Sequence, residues 1–235
     1  MLALLLPGQG SQTPGMLAPW LSDENKNTLA TWSLHIDLDL ERLGTTASAD
    51  EIKDTSNAQP LIVAAGLLGA QTLGLDKFAV VAGHSVGEIT AAGISGVLSS
   101  AQALELVRQR GIAMAKAASQ VETGMAAVLG GDRADVLQTI SDCDLIPAND
   151  NGAGQIVAAG SLDALDKLIE NPPAGARVRA LAVAGAFHTH FMQSAVDHVN
   201  QFASNVSISQ PKTQLLSNRD GAVVANGEDA IARIV

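Results

Sequence analysis

The run Phe78-Ala79-Val80-Val81-Ala82, followed at once by Gly83-His84-Ser85-Val86-Gly87-Glu88, constrains this chain more than any other stretch. Five consecutive apolar residues predict a buried strand, and the Ala-, Ile- and Thr-rich residues from Glu88 to Val97 predict a helix. Gly-x-Ser-x-Gly between a strand and a helix is the pattern of a nucleophile elbow. A side chain at position 83 or 87 would collide with the strand or the helix, so both glycines are required sterically. Ser85 is then held at the apex, where the first N–H groups of the helix and its dipole favour the oxyanion formed when a serine attacks a carbonyl. Because Gly and Ser are common residues, the pentapeptide alone is also compatible with an ordinary strand-to-helix turn.

A chain of 235 residues is long enough to bury a sizeable core, as one large α/β domain or as a domain with an insertion. With 47% hydrophobic but only 3% aromatic residues and no Tyr, that core must be built from small and branched aliphatics. The net charge of -10 argues against nucleic acid as a partner, since phosphate binding needs a basic surface. The single cysteine, Cys143, excludes an intramolecular disulfide and a Cys-rich zinc site and fits a reducing, cytoplasmic setting. No apolar run reaches the roughly 18 residues of a membrane span. Leu2 to Leu6 lack a basic leader and are expected to form a first buried strand.

That strand runs into Pro7-Gly8-Gln9-Gly10-Ser11-Gln12, a turn whose glycines let the backbone approach something closely. Helices are expected over Asp23–Leu34 and Leu38–Leu43, with a short one near Asp50–Lys53. Ala58-Gln59-Pro60 opens a long apolar helix to about Leu73, with Pro60 in its first turn and the helix behind the elbow strand. From Ala101 to Ser119 an apolar stripe of Leu104, Val107, Gly111, Met114 and Ala118 predicts another helix. Arg110 stands at the edge of that stripe, while Arg108 points away from it. Spacing leaves Arg110 open between a snorkelling surface cation and a fixed guanidinium that forks onto a carboxylate.

Beyond Gly124 the expected order is strand Met125–Leu129, helix Arg133–Ile140, strand Leu145–Asn149, strand Gln155–Ala159, helix Leu162–Ile169 and strand Val178–Val183. This β-α-β-β-α-β order is the ferredoxin-like pattern. It sets a small inserted domain at 122–184, within a large domain made of 1–121 and 185–235. The chain leaves the insert at Gly185-Ala186-Phe187-His188, a natural place for a general base, although a lone histidine serves equally well as a polar surface residue.

Gly-Gln-Gly-Ser-Gln at 8–12, Gly-His-Ser-Val-Gly-Glu at 83–88, Gln-Arg-Gly-x-x-Met at 109–114, Asn-x-Asn and Gly-Gln-Ile-Val within 149–157, and Gly-Ala-Phe-His at 185–188 occur in this order. Together they resemble the malonyl-CoA:acyl carrier protein transacylase family over essentially the whole chain. The run Leu215-Leu-Ser-Asn-Arg-Asp-Gly221 is similar to the actinobacterial type. The resemblance implies an α/β-hydrolase-like large domain with a parallel sheet and an inserted ferredoxin-like domain. It implies Ser85 as nucleophile, His188 as general base, and an oxyanion hole made by the backbone N–H groups of Gln9 and Val86. It further implies that Arg110 pairs with the malonyl carboxylate, that Gln59 and Asn151 line the same groove, and that His84 is a structural or pocket-lining residue.

Malonyl-CoA and a phosphopantetheinylated acyl carrier protein are the implied partners, with no cofactor, no metal and a monomeric state. In related domains Ala-Phe-His before the base accompanies malonyl and Ala-Ser-His accompanies methylmalonyl, so Phe187 implies malonyl selectivity. Members of the family also supply a backbone carbonyl to the catalytic histidine from a segment that would follow Val235. A chain trimmed there is expected to show impaired activity and an exposed apolar edge. A serine thioesterase or esterase would share the elbow and the base but has no use for Arg110.

Overall fold

Aliphatic runs next to glycine-rich turns give the first strands. In the computed structural model, which describes residues 2–74 and 77–235, β1 (Leu2–Leu6) pairs in parallel with β2 (Phe78–Gly83). Between them lie α1 (Asp23–Ile36), α2 (Leu40–Thr45) and α3 (Thr55–Leu73). After β2 come α4 (Gly87–Ser95) and α5 (Ser100–Ala118), followed by β3 (Thr123–Gly130), α6 (Arg133–Asp142), β4 (Ile146–Asp150), β5 (Gln155–Ser161), α7 (Leu162–Glu170) and β6 (Ala176–Ala180). The chain closes with α8 (Gln193–Ala203), β7 (Gln214–Leu216) and α9 (Gly227–Ile234). Two units result: residues 1–113 with 197–235, and residues 114–196, within which the proposed insert 122–184 lies.

The first unit carries a parallel sheet in the order β1-β2-β7. Leu6 is level with Gly83, and Ala82 is level with Leu216. Parallel pairing therefore brings three carboxyl ends together, which is where ligands sit in open α/β sheets. Helix α4 packs across one face on all three strands, burying Leu6, Val81 and Leu215 with Ile89 and Ala92. The expectation of a buried first strand is corrected: Leu5, on the opposite face from Leu6, is 74% exposed, and Leu2, at the start of the strand, is 58% exposed. Parallel strands are ordinarily covered on both faces, and β1 is covered on one.

Helix α3 begins one turn earlier than expected because Asp54 caps it, accepting from Ser56 N at 2.8 Å. Pro60 then falls inside the helix, where its missing N–H leaves the Ser56 carbonyl without its helical donor. Arg108 Nη1 donates to that carbonyl at 2.9 Å. The structure thus corrects the outward placing of Arg108, which repairs the proline defect. The buried side of α3 packs on α4, with Gly66 against Thr90 and Leu67 against Gly93.

The second unit has the sheet order β4-β5-β3-β6 with every pair antiparallel, the ferredoxin-like arrangement. Helices α6 and α7 cover a core of Val128, Val136, Ile140, Ile156, Leu165 and Leu168. Strand β6 lies earlier than expected, because its register with β3 runs from Ala176 opposite Gly130 to Ala180 opposite Ala126. Leu181 N still reaches Met125 O at 2.9 Å, and the chain then turns away.

Candidate active site

Three successive tight hydrogen bonds build the elbow: Gly87 N to His84 O at 2.9 Å, Glu88 N to Ser85 O at 2.9 Å, and Ile89 N to Val86 O at 3.1 Å. A Cβ on Gly83 would lie 2.0 Å from the Gly87 carbonyl carbon, and one on Gly87 would lie 2.4 Å from Leu6 O. Both glycines are therefore obligatory, the first against the start of α4 and the second against the end of β1. Ser85 takes φ +50°, a left-handed conformation that costs a non-glycine residue on the order of 1–2 kcal/mol. Such strain is kept where a side chain must be presented. Val86 immediately precedes α4, so its N–H belongs to the helix start that intrahelical bonding does not use.

The turn after β1 lies against this elbow. A Cβ on Gly8 would sit 2.6 Å from His84 Nδ1, and His84 N donates to Leu6 O at 3.0 Å. His84 is exposed, and its ring lies against the turn at Gly8. Ser11 Oγ donates to Gly8 O at 2.8 Å and Gly10 N to Gln12 Oε1 at 2.8 Å, which shapes the backbone around Gln9.

The side chain of Gln9 enters a chain of hydrogen bonds that sequence reasoning did not find. Arg110 Nη1 donates to Gln59 Oε1 at 2.8 Å, Gln59 Nε2 to Gln9 Oε1 at 3.2 Å, and Gln9 Nε2 to Thr55 Oγ1 at 3.2 Å. Gln59 and Thr55 are each 1% exposed. Helix α5 closes on the start of α3 because residue 111 is glycine: a Cβ there would lie 2.9 Å from Thr55 O. Arg110, one residue before that glycine, bonds to the Gln59 amide.

Burial pushes the Arg110 guanidinium down to about 10, and the negative charge of Glu88 works against that shift. Arg110 is thus protonated at neutral pH, and the described ion pairs include none at this residue. Glu88 itself is raised, because desolvation outweighs the bonds from Asn218 and Ser217 and the charges of Arg110 and Arg233. Its Oε1 accepts from Asn218 N at 2.7 Å and from Ser217 Oγ at 3.4 Å, tying α4 to the turn after β7.

A carboxyl group whose folded-state pKa is raised destabilises the fold once it ionises. That cost is present at neutral pH and is lifted as pH falls through the raised value. Glu88→Gln, which keeps an acceptor oxygen, is expected to raise the unfolding midpoint at neutral pH, the advantage shrinking towards mildly acidic pH. Calorimetry at several pH values checks this. A lower midpoint for the variant at neutral pH would show that the two bonds outweigh the desolvation.

In the second unit, Phe187 is 5% exposed and His188 is exposed at φ +58°. The loop is fixed by Ala186 N to Thr123 Oγ1 at 3.0 Å, Phe187 N to Gly185 O at 3.0 Å and Thr189 Oγ1 to Ala186 O at 2.6 Å. These bonds brace the loop on either side of His188, whose left-handed φ is a strained conformation for a non-glycine residue. Asn151 sits in the β4–β5 turn, bonded to Gln155 through both backbone and side chain. Gln155 pairs with Leu129 near the end of β3, whereas Thr123 begins that strand. At roughly 3.3 Å per residue this separates Asn151 from the 185–188 loop by about 20 Å. The structure thus brings Gln9, Gln59, His84, Ser85, Val86 and Arg110 together in the first unit, and Phe187 with His188 in the second. Asn151 stands apart from Phe187 and His188.

Residues 4–224 match the profile of the acyl transferase domain family. The chain is 55% identical over 241 residues to the malonyl CoA-acyl carrier protein transacylase of Mycobacterium tuberculosis, covering 100% of this chain and 80% of that protein. It is 31% identical to the Escherichia coli K12 enzyme of the same name over 98% of this chain and 79% of that one. The crystal structure of the M. tuberculosis enzyme superposes with a TM-score of 0.95 at 55% identity, over 99% of this chain and 79% of that one. A malonyl-transacylase solved with its type II polyketide acyl-carrier protein superposes with a TM-score of 0.89 at 27% identity, over 99% and 79% of the two chains.

Proposed function

The chain belongs to the acyl transferase family, and we infer from that membership and from its site that it moves a malonyl group from malonyl-CoA to the phosphopantetheine thiol of acyl carrier protein, supplying fatty acid synthesis. The observation that carries the reading is Arg110. A half-buried, charged guanidinium is joined through Gln59 to the turn beside the nucleophile. A donor with a free carboxylate has a use for that group, and a simple acyl thioester does not.

In the first half-reaction Ser85 Oγ attacks the thioester carbonyl as His188 takes its proton. The oxyanion is received by the N–H groups of Gln9 and Val86. Collapse breaks the carbon–sulfur bond, and the departing coenzyme A thiolate takes the proton from His188. In the second half-reaction the pantetheine thiol, deprotonated by His188, attacks the malonyl-serine ester; collapse breaks the carbon–oxygen bond, and Ser85 Oγ takes the proton back from His188. Arg110 holds the malonyl carboxylate throughout, while Gln59 fixes the guanidinium. We assign Asn151 to the extended part of the donor, in keeping with its distance from the 185–188 loop. We further place the protein in the cytoplasm as a monomer, where its one thiol, Cys143, stays reduced.

Intact-mass measurement after mixing with malonyl-CoA, with and without holo carrier protein, tests the reading. One stable malonyl adduct, discharged only when carrier is added, is expected. Release of free malonate at the same rate without carrier would make the protein a thioesterase instead.

Phe187 sets the size limit in this reading. Phe187→Ser is expected to shift kcat/KM towards methylmalonyl-CoA relative to malonyl-CoA by about tenfold, the scale on which a pocket senses one methyl group. An unchanged ratio, with a lower unfolding midpoint, would leave Phe187 as a packing residue only.

A further inference from the structure

Thr55 carries no role in the reaction described above, yet it ends the hydrogen-bond chain that begins at Arg110. The direction of every bond in that chain is set from one end. A guanidinium can only donate, so Gln59 must offer it Oε1. Gln59 Nε2 is then left to donate to Gln9 Oε1, which in turn leaves Gln9 Nε2 to donate to the Thr55 hydroxyl. Two of the four members, Thr55 and Gln59, are almost wholly buried, where bonds of this kind reinforce one another and water does not replace a lost partner. Thr55 lies in the first turn of α3, behind the Asp54 cap and with its backbone carbonyl against Gly111 of α5, so its backbone is held between two helices.

We propose that Thr55 is a positioning residue which anchors the Gln9 side chain, so that the carboxylate clamp at Arg110 and the oxyanion donor at Gln9 are set as one unit. The proposal rests on the roles assigned to Arg110 and Gln9 under the proposed function. Its consequence is that the protein favours a carboxylated acyl group in the chemical step as well as in binding. A carboxylate that orients Arg110 orients Gln59 with it, and through Gln59 the turn that carries the oxyanion donor.

The test is pre-steady-state acylation of Ser85, followed by rapid quench and intact mass, with malonyl-CoA and acetyl-CoA as donors. Thr55→Val keeps the shape and removes the hydroxyl. It is expected to lower the limiting rate of malonyl acylation about tenfold, less than the 10²–10³ lost when an oxyanion donor is deleted outright. The malonyl-CoA concentration for half-maximal rate should change less than about twofold, and acetyl acylation should fall less than malonyl acylation. Thr55→Ser, which restores the hydroxyl, should recover most of the rate.

In an Arg110→Ala background, Thr55→Val should cost at least about threefold less than it does in the parent, because coupled positions are not additive. If Thr55→Val does not fold, Thr55→Ala removes the same hydroxyl without adding bulk and is expected to show the same split between rate and half-saturation. Thr55→Ser behaving like Thr55→Val would overturn the proposal, as would independent, multiplying effects of Thr55→Val and Arg110→Ala. A parent protein that forms no malonyl-serine at all defeats the functional reading instead. A parent that acylates normally beside an unimpaired Thr55→Val defeats only the anchoring role.

Discussion

Ser85→Ala is expected to form no malonyl-enzyme and to lower carrier malonylation by a factor on the order of 10⁴ or more, the scale seen when a serine nucleophile is removed. The substitution deletes one oxygen and keeps the Cβ, so the elbow backbone, with its φ of +50° at position 85, loses no packing group. The three turn bonds that hold the elbow are backbone bonds and remain. Donor binding should therefore survive, and the unfolding midpoint should move little. Intact mass after exposure to malonyl-CoA reads the adduct, and a carrier-malonylation assay reads the rate. A malonyl adduct of normal yield on the alanine variant would move the nucleophile elsewhere, and the oxyanion role proposed for Gln9 and Val86 would fall with it.

The elbow was legible because its constraint is local. A Cβ on Gly83 would meet Gly87, four positions on, at 2.0 Å, a clash contained within the pentapeptide, whereas the 2.4 Å clash at Gly87 is with Leu6 O and needs β1 beside the elbow. The ferredoxin-like order was legible for a similar reason, since alternating strand and helix patterns of ordinary length fill residues 123–180. Helix α8 carried a signal that went unused: Ala195, Val199 and Ala203 recur at a helical spacing and are buried. Strand β7 has three residues and exists by pairing with β2, which no local pattern announces.

The failures concern what neighbours do to a segment. Five aliphatics at the N-terminus read as a buried strand, yet Leu2 and Leu5 are exposed, because burial depends on what covers each face. Arg108 read as pointing away, yet it answers a carbonyl released by Pro60, 48 residues earlier in the chain. Thr55 was invisible for the same reason: its meaning comes from Gln9, Gln59 and Arg110, joined over separations of 46, 50 and 51 residues. Motif resemblance could assign Arg110 and Gln59 to a substrate site. It could not show that they and the Gln9 side chain form one bonded chain.

Arg110→Ala is the substitution that separates a malonyl transferase from a general serine acyltransferase. It removes the cation that would meet the substrate carboxylate and strips Gln59 Oε1 of its guanidinium donor. Truncating one side of a desolvated charge pair costs about 2–5 kcal/mol. With malonyl-CoA that loss falls on the transition state, so kcat/KM should drop by about 10³-fold. With acetyl-CoA no charge pair forms, and only the loosened Gln59–Gln9 chain acts, so a fall of at most about tenfold is expected. Arg110→Lys keeps the charge but loses the planar fork that can hold Gln59 and a carboxylate together, so it should recover only part of the malonyl rate. Because burial brings the guanidinium only to about 10, the parent's preference for malonyl over acetyl should stay flat through neutral pH and decline only as pH rises towards that value. Steady-state kinetics of the three proteins with both donors decide the matter: equal losses on malonyl and acetyl would leave Arg110 as a structural bolt for Gln59, with the carboxylate held by another group.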